Sequence, residues 1–300
     1  MKTVISAVVA TFVMLGIAPA TQAQGTLEKV KAAGVIVVGH RDASIPFSYL
    51  DDKQLPIGYS MDLCMKVVDA VKAELKMPNL QVKLNPVTSA TRIPLMANGT
   101  IDMECGSTTN NIERQKQVGF VTTTFVTANR LVSKKASNIK DLGDMKGKAI
   151  VSTSGTTNLK QITELNASRN LGMNIMTAKD HAEAFLMVET GRAVAFAMDD
   201  ILLYSLVAGS RSPADFTITN EALSVEPYGI MIRRDDPAFK KVADGAIQGL
   251  FKSGEINKIY AKWFQSAIPP KNINLNLPMT EALKKVVAKP TDSGDPAAYQ

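Results

Sequence analysis

Residues 101–114, IDMECGSTTNNIER, set a short apolar run against a glycine, a row of hydroxyls and an arginine. Residues 101–105 read as a strand able to pass through a core, and Gly106 ends it. Ser107, Thr108 and Thr109 then offer hydroxyls and free backbone N–H groups, with Arg114 shortly beyond. A planar guanidinium beside converging donors suits a carboxylate. A capped helix with a solvated arginine explains the same letters, and in isolation it is the better reading. It loses ground because the rest of the chain repeats the theme.

Strands and helices alternate. Residues 35–38 form an apolar strand ending in Gly39-His40-Arg41. Gly58-Tyr59-Ser60 opens a helix with Ser60 as its expected N-cap. Leu63, Val67, Ala70, Val71 and Leu75 share one face of it. Residues 81–87 read as a strand, and 89–98 as a helix closed by Gly99 with Pro94 near its first turn. This order implies a mainly parallel sheet covered by helices. A second unit follows with strands at 148–152, 174–177, 194–198 and 216–219. An apolar strand at 228–232 and helices near 237–252 and 255–265 close the regular pattern. Beyond Pro269-Pro270 one short helix, near 280–287, precedes a polar end expected to be mobile.

The N-terminus reads as an export signal. Lys2 precedes an apolar run at 4–18, too short to favour a spanning helix. Thr21-Gln22-Ala23 supplies small residues for cleavage after Ala23. No cysteine follows the run to carry a lipid. The formal charge of +6 includes Lys2, the one charged residue before Gln24, so the mature chain carries 6 − 1 = +5. Those charges are dispersed with little aromatic interleaving, which argues against nucleic acid. Cys64 and Cys105 sit in a helix and a strand, and both read as buried free thiols, with a bridge left open.

In open α/β sheets ligands sit beyond the carboxyl ends of the strands. Those ends carry Arg41, Ser89 with Arg92, and Ser107, Thr109 with Arg114 in the first unit. In the second they carry Ser154 to Thr157, His181 and Asp199. Thr156 and Thr157 at a helix start favour an anion, or simply cap the helix. Asp199 follows an apolar strand and suits a ligand ammonium, with helix capping by Asp199 or Asp200 as the rival. A lone histidine is more often structural, although the position of His181 at a turn favours ligand contact.

A neutral zwitterion needs about one cation and one anion from its site. Arg41, Arg92 and Arg114 exceed that demand. A ligand with two carboxylates and one ammonium resolves the balance: Arg114 for one carboxylate, Arg41 and Arg92 for the other, Asp199 for the ammonium. Glutamate and aspartate have that chemistry. If Arg41 and Arg92 point to solvent, the argument lapses.

The stretches GHRDASIPFSY, GYSMDL, QVKLNPVTSATRIPLMANGT, ECGSTTNNIERQKQ, TSGTT, AKDHAEAF and GRAVAFAMDD, spread over most of the mature chain, resemble the periplasmic solute-binding proteins of polar amino-acid ABC transporters, solute-binding protein family 3. Ser60 departs from the acidic residue usual in that family's helix-opening signature. The resemblance implies an α/β, type II periplasmic binding protein fold. Two lobes, each a mainly parallel sheet covered by helices, would be joined by two crossover strands near 122–129 and 223–227 and would close by hinge motion. It places the signal at 1–23, the first lobe at 24–125 and 226–300, and the second at 126–225. Ser107, Thr109, Arg114 and the Thr157 turn would hold an α-carboxylate, and Asp199 the α-ammonium. Arg41, Ser89, Arg92 and His181 would surround a side-chain carboxylate. The expected partners are L-glutamate or L-aspartate and a membrane permease with a separate ATPase. The protein itself is expected to be a periplasmic monomer without cofactor or metal.

Other readings have less support. There is no Gly-x-Ser-x-Gly elbow, and Ser137-Asn138-Ile139-Lys140 reads as a chance match in a surface turn. His181 is the one candidate acid or base for a dehydratase-like enzyme on this fold. A binder of glutamine or of another dicarboxylate, and a sensor of the same ligand, remain alternatives.

Overall fold

The structure, a computed structural model, describes residues 25–300. The expected cleavage after Ala23 lies outside the described residues.

Two sheets organise the chain. The first contains, in spatial order, Gln81–Pro86, Val35–His40, Met103–Cys105, Met231–Ile232 and Gly119–Phe120. The second runs Asn174–Ala178, Ala149–Thr153, Ala195–Asp199, Phe125–Lys134 and Phe216–Ile218, with Ser224–Tyr228 also paired to Phe125–Lys134. Among the described residues each sheet has one reversed strand, Met231–Ile232 in the first and Phe125–Lys134 in the second. Both sheets are therefore mixed, with three parallel strands in each and antiparallel pairing around the reversed strand. A small antiparallel sheet of Ala43–Ser44, Ser48–Leu50 and Pro56–Ile57 had no counterpart in the sequence reading.

Phe125–Lys134 and Ser224–Tyr228 carry the chain between the two sheets. They pair antiparallel from Phe125 opposite Tyr228 to Asn129 opposite Ser224. Phe125 and Tyr228 are anchored in an aromatic cluster on the first-sheet side. Phe125 lies 5.0 Å from both the Phe47 and Phe264 rings, and Tyr228 lies 5.1 Å from Phe47. Edge-to-face and stacked rings of this kind bury large area and hold relative orientation, so one end of the crossover is stiffly seated.

Three expectations need correction. Cys64 and Cys105 are bridged, not free. Helix Tyr59–Leu75 lies against strand Met103–Cys105 and brings their Cα atoms to 6.1 Å, within disulfide reach. Ser60 does not cap its helix. Gly58 occupies the cap with φ +138, where an added Cβ would lie 2.2 Å from the Phe47 carbonyl oxygen. Ser60 Oγ instead donates to the Gly106 carbonyl at 2.8 Å, tying the helix to the hydroxyl-rich turn. The polar C-terminal end is not loose: Tyr299 is buried, and its hydroxyl lies 2.7 Å from Thr123 Oγ1 and donates to the Ser293 carbonyl at 2.7 Å. The Asp292 carbonyl also accepts from Asn110 Nδ2 at 2.8 Å, so the tail braces the turn carrying Thr109.

Candidate functional site

The carboxyl ends of both sheets' parallel strands converge on one narrow polar cleft, with about 190 Å³ of space between its atoms. Seven of the nine residues singled out from sequence line it: Ser89, Arg92, Ser107, Thr109, Thr157, His181 and Asp199. Arg41 and Arg114 do not. Both are buried, and Arg114 Nη2 donates to the Gly155 carbonyl of the facing turn at 3.2 Å.

On the first-sheet side, strand Met103–Cys105 ends at Gly106 and the chain turns sharply through Ser107 and Thr109. Arg92, at the start of helix Arg92–Ala97, reaches across this turn. Its Nη1 donates to the Ser107 carbonyl at 2.9 Å and to Thr108 Oγ1. Glu104 lies behind it, fully buried, 3.9 Å from Arg92 Nη1 and accepting from Thr108 Oγ1 at 2.5 Å. Arg114 Nη1 donates to the Thr109 carbonyl at 2.8 Å. Burial and then Arg92 lower the Arg41 pKa to about 10 and that of Arg114 to about 9. Both stay cationic at neutral pH, and the lowering expresses what burying like charges together costs.

On the second-sheet side, Thr156 caps helix Thr157–Ser168 by accepting from Leu159 N at 3.1 Å. Capping and anion-facing roles therefore fall to different threonines. Thr157 is left to donate to Glu226 Oε2 at 2.8 Å, and its Oγ1 lies 3.5 Å from Thr109 Oγ1. Neither Asp199 nor Asp200 caps its helix. Asp200 accepts from Thr127 Oγ1 at 2.5 Å and from Arg130 Nε at 3.0 Å. Asp199 faces the cavity and accepts from Asn158 Nδ2 at 2.7 Å and from the Tyr228 hydroxyl. Burial, then the Glu226 carboxylate, push the Asp199 pKa up to about 7, although the Tyr228 and Asn158 hydrogen bonds pull it down. A cation placed there would restore the carboxylate.

Helix His181–Glu189 begins at the cavity, capped by Asp180 Oδ1. His181 Nδ1 lies 2.9 Å from Thr153 Oγ1. Burial, followed by Arg41 and Arg92, holds its pKa well below the usual range, so the ring is neutral. With Thr153 as donor to Nδ1, the neutral ring would carry its proton on Nε2. Six buried polar atoms of the site have no hydrogen-bond partner within the protein: Arg41 Nη1, Ser89 Oγ, Arg92 Nε, Ser107 Oγ, His181 Nε2 and Glu104 Oε1. The arginine nitrogens and serine hydroxyls can donate to an anion, and buried polar groups are seldom left unpaired.

Sequence reasoning missed Glu104 and Glu226. Their presence alters the arginine argument, because two carboxylates of the protein already sit among the three guanidiniums. Glu104 left a trace: a strand covered on both faces has no cheap place for an acid. Its neighbour Asp102 is satisfied by Val37 N and Lys29 Nζ, both at 2.7 Å. Glu226 lies in a crossover strand, whose neighbours only the tertiary fold supplies.

Two sheets, two crossover strands and a polar cavity between the lobes define a two-lobed binding protein of the type II periplasmic fold. The chain belongs to the bacterial extracellular solute-binding proteins, family 3, which it matches over residues 36–266. It is 57% identical over 274 residues to the L-glutamate/L-aspartate-binding protein of Pseudomonas aeruginosa, covering 91% of each chain. It is 47% identical over 291 residues to the glutamate/aspartate import solute-binding protein of Escherichia coli K12, covering 96% of each. Among solved structures, a variant of ArgBP from T. maritima superposes with a TM-score of 0.71 at 26% identity, over 80% of this chain and 99% of that one. These relatives are solute-binding proteins, not enzymes.

Proposed function

We propose that this chain captures L-glutamate or L-aspartate between its lobes and delivers it to a membrane import system. One observation carries the reading. A tight cleft at the strand ends brings together unpaired anion donors, among them Ser89 Oγ, Ser107 Oγ and Arg92 Nε, and the carboxyl of Asp199. Ser107, Thr109, Arg114 and the Thr157 turn hold the α-carboxylate. Asp199 takes the ammonium, and Ser89, Arg92 and His181 surround the side-chain carboxylate. Arg41, whose Nη1 has no partner within the protein, joins them. The names of the Pseudomonas and Escherichia relatives support the same ligands.

The lobes are assigned as 24–125 with 226–300, and 126–225, and ligand bridging them favours the closed form. The protein works as an exported monomer, cleaved after Ala23, and docks on a permease in the inner membrane served by a separate ATPase. Isothermal titration of refolded, ligand-stripped mature protein tests the ligand. Tight binding of L-glutamate and L-aspartate with weak binding of L-glutamine is expected. Tight glutamine binding alone, or no binding of any of the three, would overturn the assignment.

A further inference from the structure

The lobes meet closely at a residue without a side chain. Gly155 lies in the turn between strand Ala149–Thr153 and helix Thr157–Ser168, with φ +77. An added Cβ there would sit 2.5 Å from Ala90 Cα, 2.7 Å from Ala90 N and 2.7 Å from the Ser89 carbonyl oxygen. All three are backbone atoms of the opposite lobe, in the turn carrying Ser89. No side chain can swing aside to make room, so one lobe must move against the other. The same glycine accepts from Arg114 Nη2 across the cleft at 3.2 Å.

The geometry points to Gly155 as the seat on which the cleft closes: a positioning residue whose missing side chain lets Ser89, Arg114 and Thr157 reach one ligand together. A methyl group there acts as a wedge. It holds the turn off Ala90, stretches the Arg114–Gly155 contact and separates Thr109 from Thr157. Each lobe keeps its own core, because the atoms met belong to the other lobe. Positive φ adds a local strain to any substitution, but that strain is separable. Gly191 has φ +76 on the same lobe, and an added Cβ there meets nothing within 4 Å. Gly191→Ala therefore reports the backbone strain alone.

The inference rests on the proposed capture of an acidic amino acid, and the test keeps the two apart. Wild type, Gly155→Ala and Gly191→Ala carry spin labels at the exposed positions 83 and 179, one on each lobe. Inter-lobe distances are measured with and without L-glutamate and L-aspartate, beside calorimetric affinities. Wild type and Gly191→Ala should show the short-distance population. Gly155→Ala should lack it and bind about tenfold to hundredfold more weakly, the scale of an overpacking penalty. A Gly155→Ala protein that closes like wild type, or one that loses no more affinity than Gly191→Ala, overturns the inference and leaves the ligand standing. A wild type with no short-distance population in any condition overturns it as well. Closure of wild type without affinity for either amino acid retires the ligand and leaves Gly155 as the seat.

Discussion

The two walls of the cavity carry opposite charge and are stiffened differently. The first wall holds Arg41, Arg92 and Arg114 against one buried carboxylate, Glu104, for a formal 3 − 1 = +2. The facing wall holds Asp199 beside a neutral His181, for a formal −1, and Glu226 sits on the crossover strand that joins the two walls. A ligand with a carboxylate at each end and an ammonium beside one of them is oriented by that contrast before any single contact decides its pose. The first wall is also pinned from behind by the Cys64–Cys105 bridge and the Ser60–Gly106 hydrogen bond. No disulfide backs the second among the described residues. One wall is a preset anion cradle, and the other becomes fully ionised only when a cation arrives.

The largest expected effect is on the cradle. Arg92→Ala leaves Glu104 buried opposite an uncompensated gap. Removing one partner of a buried pair costs about 3–5 kcal/mol, so thermal unfolding should come markedly earlier and acidic-ligand binding should be lost in calorimetry. Arg92→Met combined with Glu104→Gln should recover much of the stability and none of the binding. Recovery of binding would mean that the arginine acts only on Glu104. Next is the bridge. Cys64→Ser with Cys105→Ser removes a cross-link closing a 41-residue separation, worth about 2–4 kcal/mol in denaturant unfolding. Affinity should fall less than stability, since the wall is still held by Ser60.

How much of this contrast the sequence carries depends on where its cause lies. Glycine stops, hydroxyl turns and apolar runs are local signals, and they placed the strand ends carrying Ser89, Ser107, Thr157, His181 and Asp199 at one cavity. The bridge depends on how a helix lies across a strand, and no spacing encodes that. The burial of Arg41 and Arg114, with Glu104 and Glu226 near them, is likewise tertiary. The tail read as mobile from its composition, yet Tyr299 supplies one apolar ring and one hydroxyl that the hinge-side Thr123 can meet.

Smaller effects probe the second wall. Asp199→Asn should weaken L-glutamate by about 2 kcal/mol, near the lower end for breaking a desolvated charge pair, because part of the cost of ionising Asp199 is already borne by the protein. Its pH dependence should be milder still. The folded Asp199 pKa, about 7, lies above its ordinary 3.8, so ionising it opposes folding. Its contribution to unliganded stability is most favourable at low pH and declines as pH rises through that window. A ligand ammonium reverses the preference. Binding then releases a proton below about pH 7, and affinity should fall with pH below that value toward the level of Asp199→Asn and no further. Titrations in buffers of different ionisation enthalpy measure this release, and Asp199→Asn should abolish it. His181, held neutral by burial and the arginines, should add no step near neutrality in the unliganded protein.

The central claim is that one wall reads the carboxylates of the ligand and the other its ammonium. The direct test is calorimetric titration of wild type and Asp199→Asn with L-glutamate and with glutarate, which keeps both carboxylates and lacks the ammonium. Asp199→Asn should weaken L-glutamate by about 30-fold, the 2 kcal/mol above, and leave glutarate unchanged or bound more tightly. Equal weakening of both, or no change in either, would contradict the account, because Asp199 would then not be reading the ammonium.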